Sequence, residues 1–351
     1  MPNLNPEDFS CLLPIMEDET IQLAHGSGGR LSAELVSRFF LPRFGNETLN
    51  RLEDQAVVDF PRGRLALTTD SFVVDPLFFP GGDIGDLAIN GTVNDVCMGG
   101  ATPLYLAAAF IIEEGLPMAT LHRILLSMEK AAKSAGVQIV TGDTKVVNRG
   151  CCDKLFITTT GVGRVPEGVN ISAANLQAGD RIILSGTIAD HGMAILTSRE
   201  GLSFASRVQS DTAALNGLVA RMLQASPAIH AMRDPTRGGL ATTLNEFAAA
   251  SGVGIVLKEA TIPVRPEVRG ACEVLGIDPM YVANEGKLVA VVPGEAADTV
   301  VAAMRSHPLG REAAIIGEVV AENRGMVVMG NALGAQRIVD MPVGEQLPRI
   351  C

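Results

Sequence analysis

The sequence has no tryptophan and only two tyrosines, so aromatic platforms for stacking nucleic acid bases are scarce. Lysine and arginine number 28 against 39 aspartates and glutamates, a net charge of −11. Phosphate backbones demand clustered cations, and no nucleic acid partner is expected. No uninterrupted apolar stretch nears the roughly 18 residues a membrane helix needs, so no membrane partner is expected either. Glu7, Asp8, Glu17, Asp18 and Glu19 crowd the first residues, the wrong charge for a secretory signal. The six cysteines include no C-x-x-C pair. Cys151 and Cys152 are adjacent, while Cys11, Cys97 and Cys272 stand apart, which provides neither a disulfide framework nor a zinc site. These absences predict a soluble protein of a reducing compartment, the cytoplasm. The G-x-x-x-x-G-K-[ST] loop and the G-x-G-x-x-G turn after a strand are missing too.

What remains is rich in apolar residues, 47% against 19% charged, over 351 positions. That is ample for a core and longer than one core usually grows, which predicts two domains. Residues 1–44 read as an N-terminal arm holding the glycine-rich stretch His25-Gly26-Ser27-Gly28-Gly29-Arg30. Residues 45–177 form a first unit, with strands expected at 65–69, 104–112, 137–140 and 155–162. Its helices are expected at 83–98 and at 118–135, the second ending at Gly136. Residues 178–335 form a second unit, with helices near 212–224, 239–250 and 296–304 and strands at 182–184, 254–257 and 288–292. Strands interleaved with helices, twice over, predict an α+β chain. Residues 336–351 are a tail ending in Cys351.

Chemistry concentrates in a few places. Asp83, Asp86, Asn90 and Asn94 recur at steps of three and four and so share one helix face. Asp95 lies beside them, and a face of carboxylates and amides without lysine or arginine suits a hard cation. Asp54, Asp70 and Asp143 follow or end strand-like segments, where carboxylates can converge on one cleft; each alone is equally a turn residue. The glycines at 26, 28 and 29 would let backbone N–H groups wrap a phosphate. Arg233-Asp234-Pro235-Thr236-Arg237-Gly238-Gly239 precedes a helix, and capping accounts for Asp234 but not for two arginines and two glycines in one turn. Glu285, in Ala283-Asn284-Glu285-Gly286-Lys287, is either a buried base or a turn residue. A terminal thiol such as that of Cys351 can carry a group on sulfur from one site to another.

In order along the chain, HGSGG, TTDSFVVDPLFFPGGDIGDLAINGTVNDVCMGG, TGDTKVV, DHGMAI, RDPTRGGL, ANEGKL and the closing PRIC resemble the HypE family of hydrogenase maturation proteins. That family belongs with aminoimidazole ribonucleotide synthetase, selenophosphate synthetase and thiamine-monophosphate kinase. The resemblance runs from about His25 to the end. It implies a two-domain fold of the synthetase type, a homodimer joined through the N-terminal sheets, a flexible C-terminal tail and an ATP cleft. It also implies an ATP-dependent dehydratase that turns an S-carboxamide on the terminal cysteine into a thiocyanate, the source of a cyanide ligand for nickel–iron hydrogenase. The partners so implied are the carbamoyltransferase HypF and a HypC–HypD complex, and the cofactors are ATP and Mg²⁺.

By the same resemblance Cys351 carries the substrate, Glu285 is the base and Lys145 offsets phosphate charge. Asp54, Asp70, Asp95, Asp143 and Asp234 are the metal candidates. These five, with His25, Gly26, Gly28, Gly29, Ser71, Asn94 and Thr144, make up the nucleotide site. Two rivals stand beside this reading: another ATP-using enzyme of the superfamily, and a thiol-tailed metal chaperone. The first is disfavoured because the glycine loop lacks the cysteine and lysine of selenophosphate synthetases.

Overall fold

The computed structural model describes residues 18–27, 30–53, 55–199, 208–342 and 349–351. The arm is helical from Arg30 onward: α1 (Arg30–Leu35) runs through a wide turn at Val36–Phe40 into α2 (Leu41–Phe44). Leu35, Phe39, Phe40 and Phe44 are buried from it into the first domain, so apolar burial fixes the arm along the body.

Next come β1 (Arg64–Phe72), a two-residue hairpin of β2 (Phe78–Phe79) and β3 (Gly82–Asp83), α3 (Ile84–Met98), β4 (Thr102–Glu113), α4 (Met118–Ala135), β5 (Gln138–Val147) and β6 (Leu155–Val165). The sheet order is β1-β6-β4-β5. Only β4 and β5 run parallel, because α4 carries the chain back across the sheet between them. Asp83 starts α3, its Oδ1 accepting from the amides of Gly85 at 2.8 Å and Asp86 at 3.2 Å. α4 ends as expected at Gly136, in the left-handed conformation.

The second domain holds β7 (Arg181–Leu184), α5 (Asp190–Arg199), α6 (Asn216–Ala225), β8 (Ala231–Arg233), α7 (Gly239–Ser251), β9 (Gly254–Lys258), α8 (Pro266–Leu275), β10 (Val289–Val292), α9 (Ala297–Arg305), β11 (Ala314–Val320), β12 (Val327–Gly330) and β13 (Gln336–Ile338). Seven strands lie in the order β13-β12-β9-β11-β7-β10-β8. Two expectations change here. β13 pairs with β12 and is followed by the buried Val339, so the domain reaches past the boundary expected at 335. α6 starts at Asn216 rather than 212, because the residues before it are tied to α3.

The tail's last three residues are docked. The Val73 amide donates to the Cys351 carbonyl at 3.0 Å and the Asp75 amide to that of Arg349 at 3.3 Å. The tail thus runs alongside the residues just past β1, held by these two bonds without forming a strand. Ile350 is buried in the core. Among the described residues no helix is long and apolar enough to cross a membrane.

Candidate active site

The expected site residues fall into two places. One is a pocket of about 350 Å³ between the arm and β5, within the range of small-molecule sites. Val36, Phe40, Leu41 and Phe44 of the arm give it an apolar wall, and His25, Gly26, Asp143, Thr144 and Lys145 a polar rim. Gly26 is there because a Cβ would sit 2.5 Å from the Val146 amide nitrogen. The Nδ1 of His25 accepts from the Gln22 amide at 2.9 Å, so the proton lies on Nε2. That buried Nε2 has no hydrogen-bond partner in the protein, Asp18 Oδ2 standing off at 4.0 Å, and a buried donor calls for an acceptor. Lys145 Nζ reaches both oxygens of Asp143 at 2.7 Å and, with the Thr144 amide, holds that carboxyl below its usual range.

The second place is an acidic chamber where β1, α3, the start of α7 and the tail meet. Asp70 pairs with Arg237 at 2.8 Å, and Thr68 donates to Asp95 at 2.9 Å. Burial first, and then Asp95, push Asp234 up to about 7; burial and Asp70 also raise Asp95. Glu285 is 2% exposed, and burial followed by Asp234, Asp211, Asp70 and Asp95 drives it well above the usual carboxylate range. Glu285 Oε1 and Asp234 Oδ2 have no hydrogen-bond partner in the protein.

Cys351 closes this chamber. Burial, then Glu285 and Asp70, push its thiol up to about 12, while Arg237 lies within hydrogen-bond reach and works the other way. A cavity of about 510 Å³ opens beside the thiol, lined by Ser71, Thr236, Arg237, Gly238, Thr242 and Tyr281 among others. Gly238 and Gly239 both take positive φ, +63° and +61°, which brings the start of α7 under the tail.

One expectation needs correcting for a single chain: the aspartates do not all converge. Thr68 faces α3, so Asp70, two residues along β1, faces it too. Ser71 faces the other way, bonding Thr158 at 2.9 Å, and Thr158 lies in register with Ala109 and Asp143. Asp143 and Lys145 therefore share the outer face with Ser71, three strand spacings or about 14 Å away.

The polar face of α3 is a second correction. At Asn90 and Asn94 it meets the protein rather than a free cleft. Asn90 donates to Thr212 at 3.2 Å; Asn94 donates to the carbonyls of Ala213 at 3.0 Å and Glu285 at 3.1 Å and accepts from Leu215 at 2.7 Å. Both Asn94 donors are spent on the protein, which leaves none for a nucleotide. Asp54, Gly28 and Gly29 lie outside the described residues. Sequence reasoning singled out neither Asp211 nor Arg199. The Asp211 side chain is 2% exposed and pairs with Lys287 at 3.0 Å, but nothing in the run Gln209-Ser210-Asp211-Thr212 marks it as buried.

A four-stranded sheet backed by two helices, joined to a larger α+β domain with an acidic cleft at the seam, defines the AIR synthase-related class. The N-terminal domain model of that family matches residues 52–165 and its C-terminal model 177–330. The carbamoyl dehydratase HypE of Cupriavidus necator is 58% identical over 332 residues, 94% of this chain and 95% of that protein. A crystal structure of the hydrogenase maturation protein HypE in complex with ATP superposes with a TM-score of 0.91 at 52% identity, covering 94% of this chain and 99% of that one. A HypE–HypF complex matches with a TM-score of 0.78 at 49% identity, over 90% and 100% of the two chains. The chain belongs to the HypE family of carbamoyl dehydratases, enzymes of hydrogenase maturation. A complex titled AaThiL with AMPPCP and TMP, at 21% identity and TM-score 0.59, shares the fold alone.

Proposed function

We propose that the chain dehydrates an S-carboxamide on Cys351 to a thiocyanate, using ATP, to supply the cyanide ligand of a nickel–iron hydrogenase. The observation that carries this reading is the seat of Cys351: its sulfur is held in a chamber whose Glu285 is buried, raised in proton affinity and left without a hydrogen-bond partner at Oε1. The balance is Cys–S–C(O)NH₂ plus ATP giving Cys–S–C≡N, ADP and phosphate. The γ-phosphoryl group converts the amide oxygen into a leaving group. The amide nitrogen must lose both protons: Glu285, whose carboxylate is a stronger base than a solvated one, takes one, and the second leaves with the departing phosphate. Arg237 stands beside Asp70 and the thiol, where it offsets charge on the departing phosphate.

Mg²⁺ fits this arrangement as an ion bound together with the nucleotide. Among the described residues no three His, Cys, Asp or Glu side chains form a metal cage, but magnesium on a nucleotide needs only one or two carboxylates and keeps its waters. One or two of Asp70, Asp95 and Asp234 would hold it, with Asp54 and Asp143 as the remaining candidates, and it would neutralise phosphate charge. The arm pocket is the nucleotide site of this reading: apolar walls for the base, and the His25 N–H, Thr144 and Lys145 for the phosphates.

The thiol also argues for two stations. A sulfur accepts carbamoyl as thiolate. A thiol held near 12 is almost wholly protonated at neutral pH, so Cys351 is loaded by HypF with the tail undocked and reacts with it docked. The thiocyanate then passes to the HypC–HypD complex. The outer sheet face exposes Leu65, Leu67 and Ile111, an apolar patch on which a homodimer would join.

Intact-protein mass spectrometry tests the chemistry. With the carbamoyltransferase, carbamoyl phosphate and Mg-ATP, wild type gains a carbamoyl adduct that becomes one water lighter. Glu285→Gln keeps the adduct unchanged in mass, and Cys351→Ala gains none. An adduct on Cys351→Ala would sink the reading.

A further inference from the structure

His191 takes no part in the chemistry above, yet it is fully buried and touches the tail. It is the second residue of α5. Its ring meets Phe79 edge-on, with 5.5 Å between centroids. Its Nε2 lies 2.9 Å from the Ile350 carbonyl, and a carbonyl only accepts, so Nε2 carries the proton. Burial lowers the affinity of the imidazole for a second proton, which keeps it neutral and leaves Nδ1 an acceptor. Nδ1 lies 2.8 Å from the Ser210 hydroxyl, which must then donate to it. The same hydroxyl accepts from the Thr212 amide at 3.1 Å. The ring thus has one tautomer and two fixed partners.

Ser210 begins a strap that leads to the base. The next residue, Asp211, accepts from the Glu285 amide at 3.1 Å through Oδ1 and from Lys287 Nζ at 3.0 Å through Oδ2. At the far end of α5, Arg199 donates to the carbonyls of Asp75 and Arg349. One helix therefore holds two consecutive tail carbonyls, at Arg349 and Ile350. When the tail leaves, a buried His191 N–H loses its acceptor, and that loss is felt along Ser210 and Asp211 as far as Glu285.

We propose that His191 is a positioning residue: it seats the tail through the Ile350 carbonyl and, through Ser210 and Asp211, makes the placing of Glu285 depend on that seating. The inference rests on the reading that Cys351 is dehydrated where it is docked.

The test uses full-length protein and two readouts. Iodoacetamide labelling of Cys351, followed on the C-terminal peptide by mass spectrometry, reports docking and needs neither ATP nor a partner. Single-turnover dehydration of the preformed carbamoyl adduct reports the coupling. His191→Leu is expected to label about tenfold faster, the scale of one hydrogen bond lost at a buried acceptor, and to dehydrate at least tenfold slower. His191→Gln, whose amide both donates and accepts, should restore both rates to within about threefold. Ser210→Ala keeps the tail contact and cuts the strap, so it should slow dehydration and leave labelling near wild type. Wild-type labelling in folded His191→Leu overturns the seat. Wild-type dehydration in Ser210→Ala overturns the coupling, and decides it even if His191→Leu does not fold. An adduct that never loses water in wild type would instead strike the dehydratase reading, with labelling still reporting on His191.

Discussion

A docked Cys351 is a poor nucleophile, and the sign of its titration gives a test. Burial, with Glu285 and Asp70 behind it, raises the thiol to about 12, against about 8.5 for a free cysteine. The docked tail therefore holds its proton more tightly than the free tail. Docking is at full strength below pH 8.5 and weakens tenfold for each unit above it, until the docked thiol itself ionises. Alkylation should report this directly. A free tail peptide reaches its plateau rate above about pH 8.5, whereas Cys351 in the protein should keep gaining about tenfold per pH unit beyond that point. Stopped-flow or quench labelling between pH 7 and 10.5 checks it. A profile for the protein that levels off with the peptide would mean that the thiol spends its time outside the chamber.

α3 is the element on which both domains meet. Its amides on one face act as staples, and Asn94 alone satisfies the carbonyls of Ala213 and Glu285 and the amide of Leu215. Asn94→Ala leaves three buried backbone groups without partners, a loss of about 3 kcal/mol after partial hydration. The melting midpoint should fall by roughly 4 °C in calorimetry; a fall under about 1 °C would mean that water replaces the staple freely. The helix itself was legible, since its start at Asp83 and its stop before two glycines are local signals. Its polar face was misread, because the partners come from residues 212–215 and 285, more than a hundred positions away, and an asparagine facing a protein carbonyl looks in sequence like one facing a cation. α4, with its apolar stripe and Gly136, needed no tertiary help. The three-residue β8 and β13 carry too few positions for an alternation to register, and they exist because β10 and β12 offer them an edge. Within the site, Asp70, Asp234, Glu285 and Cys351 were legible as motif residues and do meet. The separation of Asp143 from them was not, because it depends on which way each strand turns its side chains.

At the scale of the whole molecule the two groups of site residues and the bare sheet face belong to one problem. Leu65 is 54% exposed, Leu67 65% and Ile111 43%, all on the side of the sheet that carries no helix among the described residues. Asp143 and Lys145 stand on that same side, while Asp70, Asp95, Asp234 and Glu285 lie on the other. A single chain thus holds Asp143 and Lys145 apart from the carboxylates of the reaction chamber. Pairing two sheets through the bare face would bury the leucines and turn the Asp143–Lys145 edge of each chain toward its twin. Two lysines in place of Leu65 and Leu67 would put like charges opposite each other across that pairing, a repulsion no exposed strand of a lone chain would feel. Leu65→Lys with Leu67→Lys is therefore expected to give a particle of one-chain mass in light scattering at micromolar concentration, with unchanged circular dichroism and unchanged Cys351 labelling, since the tail docks within its own chain. Dehydration should fall at least tenfold if the chamber draws its nucleotide groups from the twin. A wild-type protein already of one-chain mass would rule out the pairing; a monomeric variant with full activity would show that one chain bridges the two places by itself.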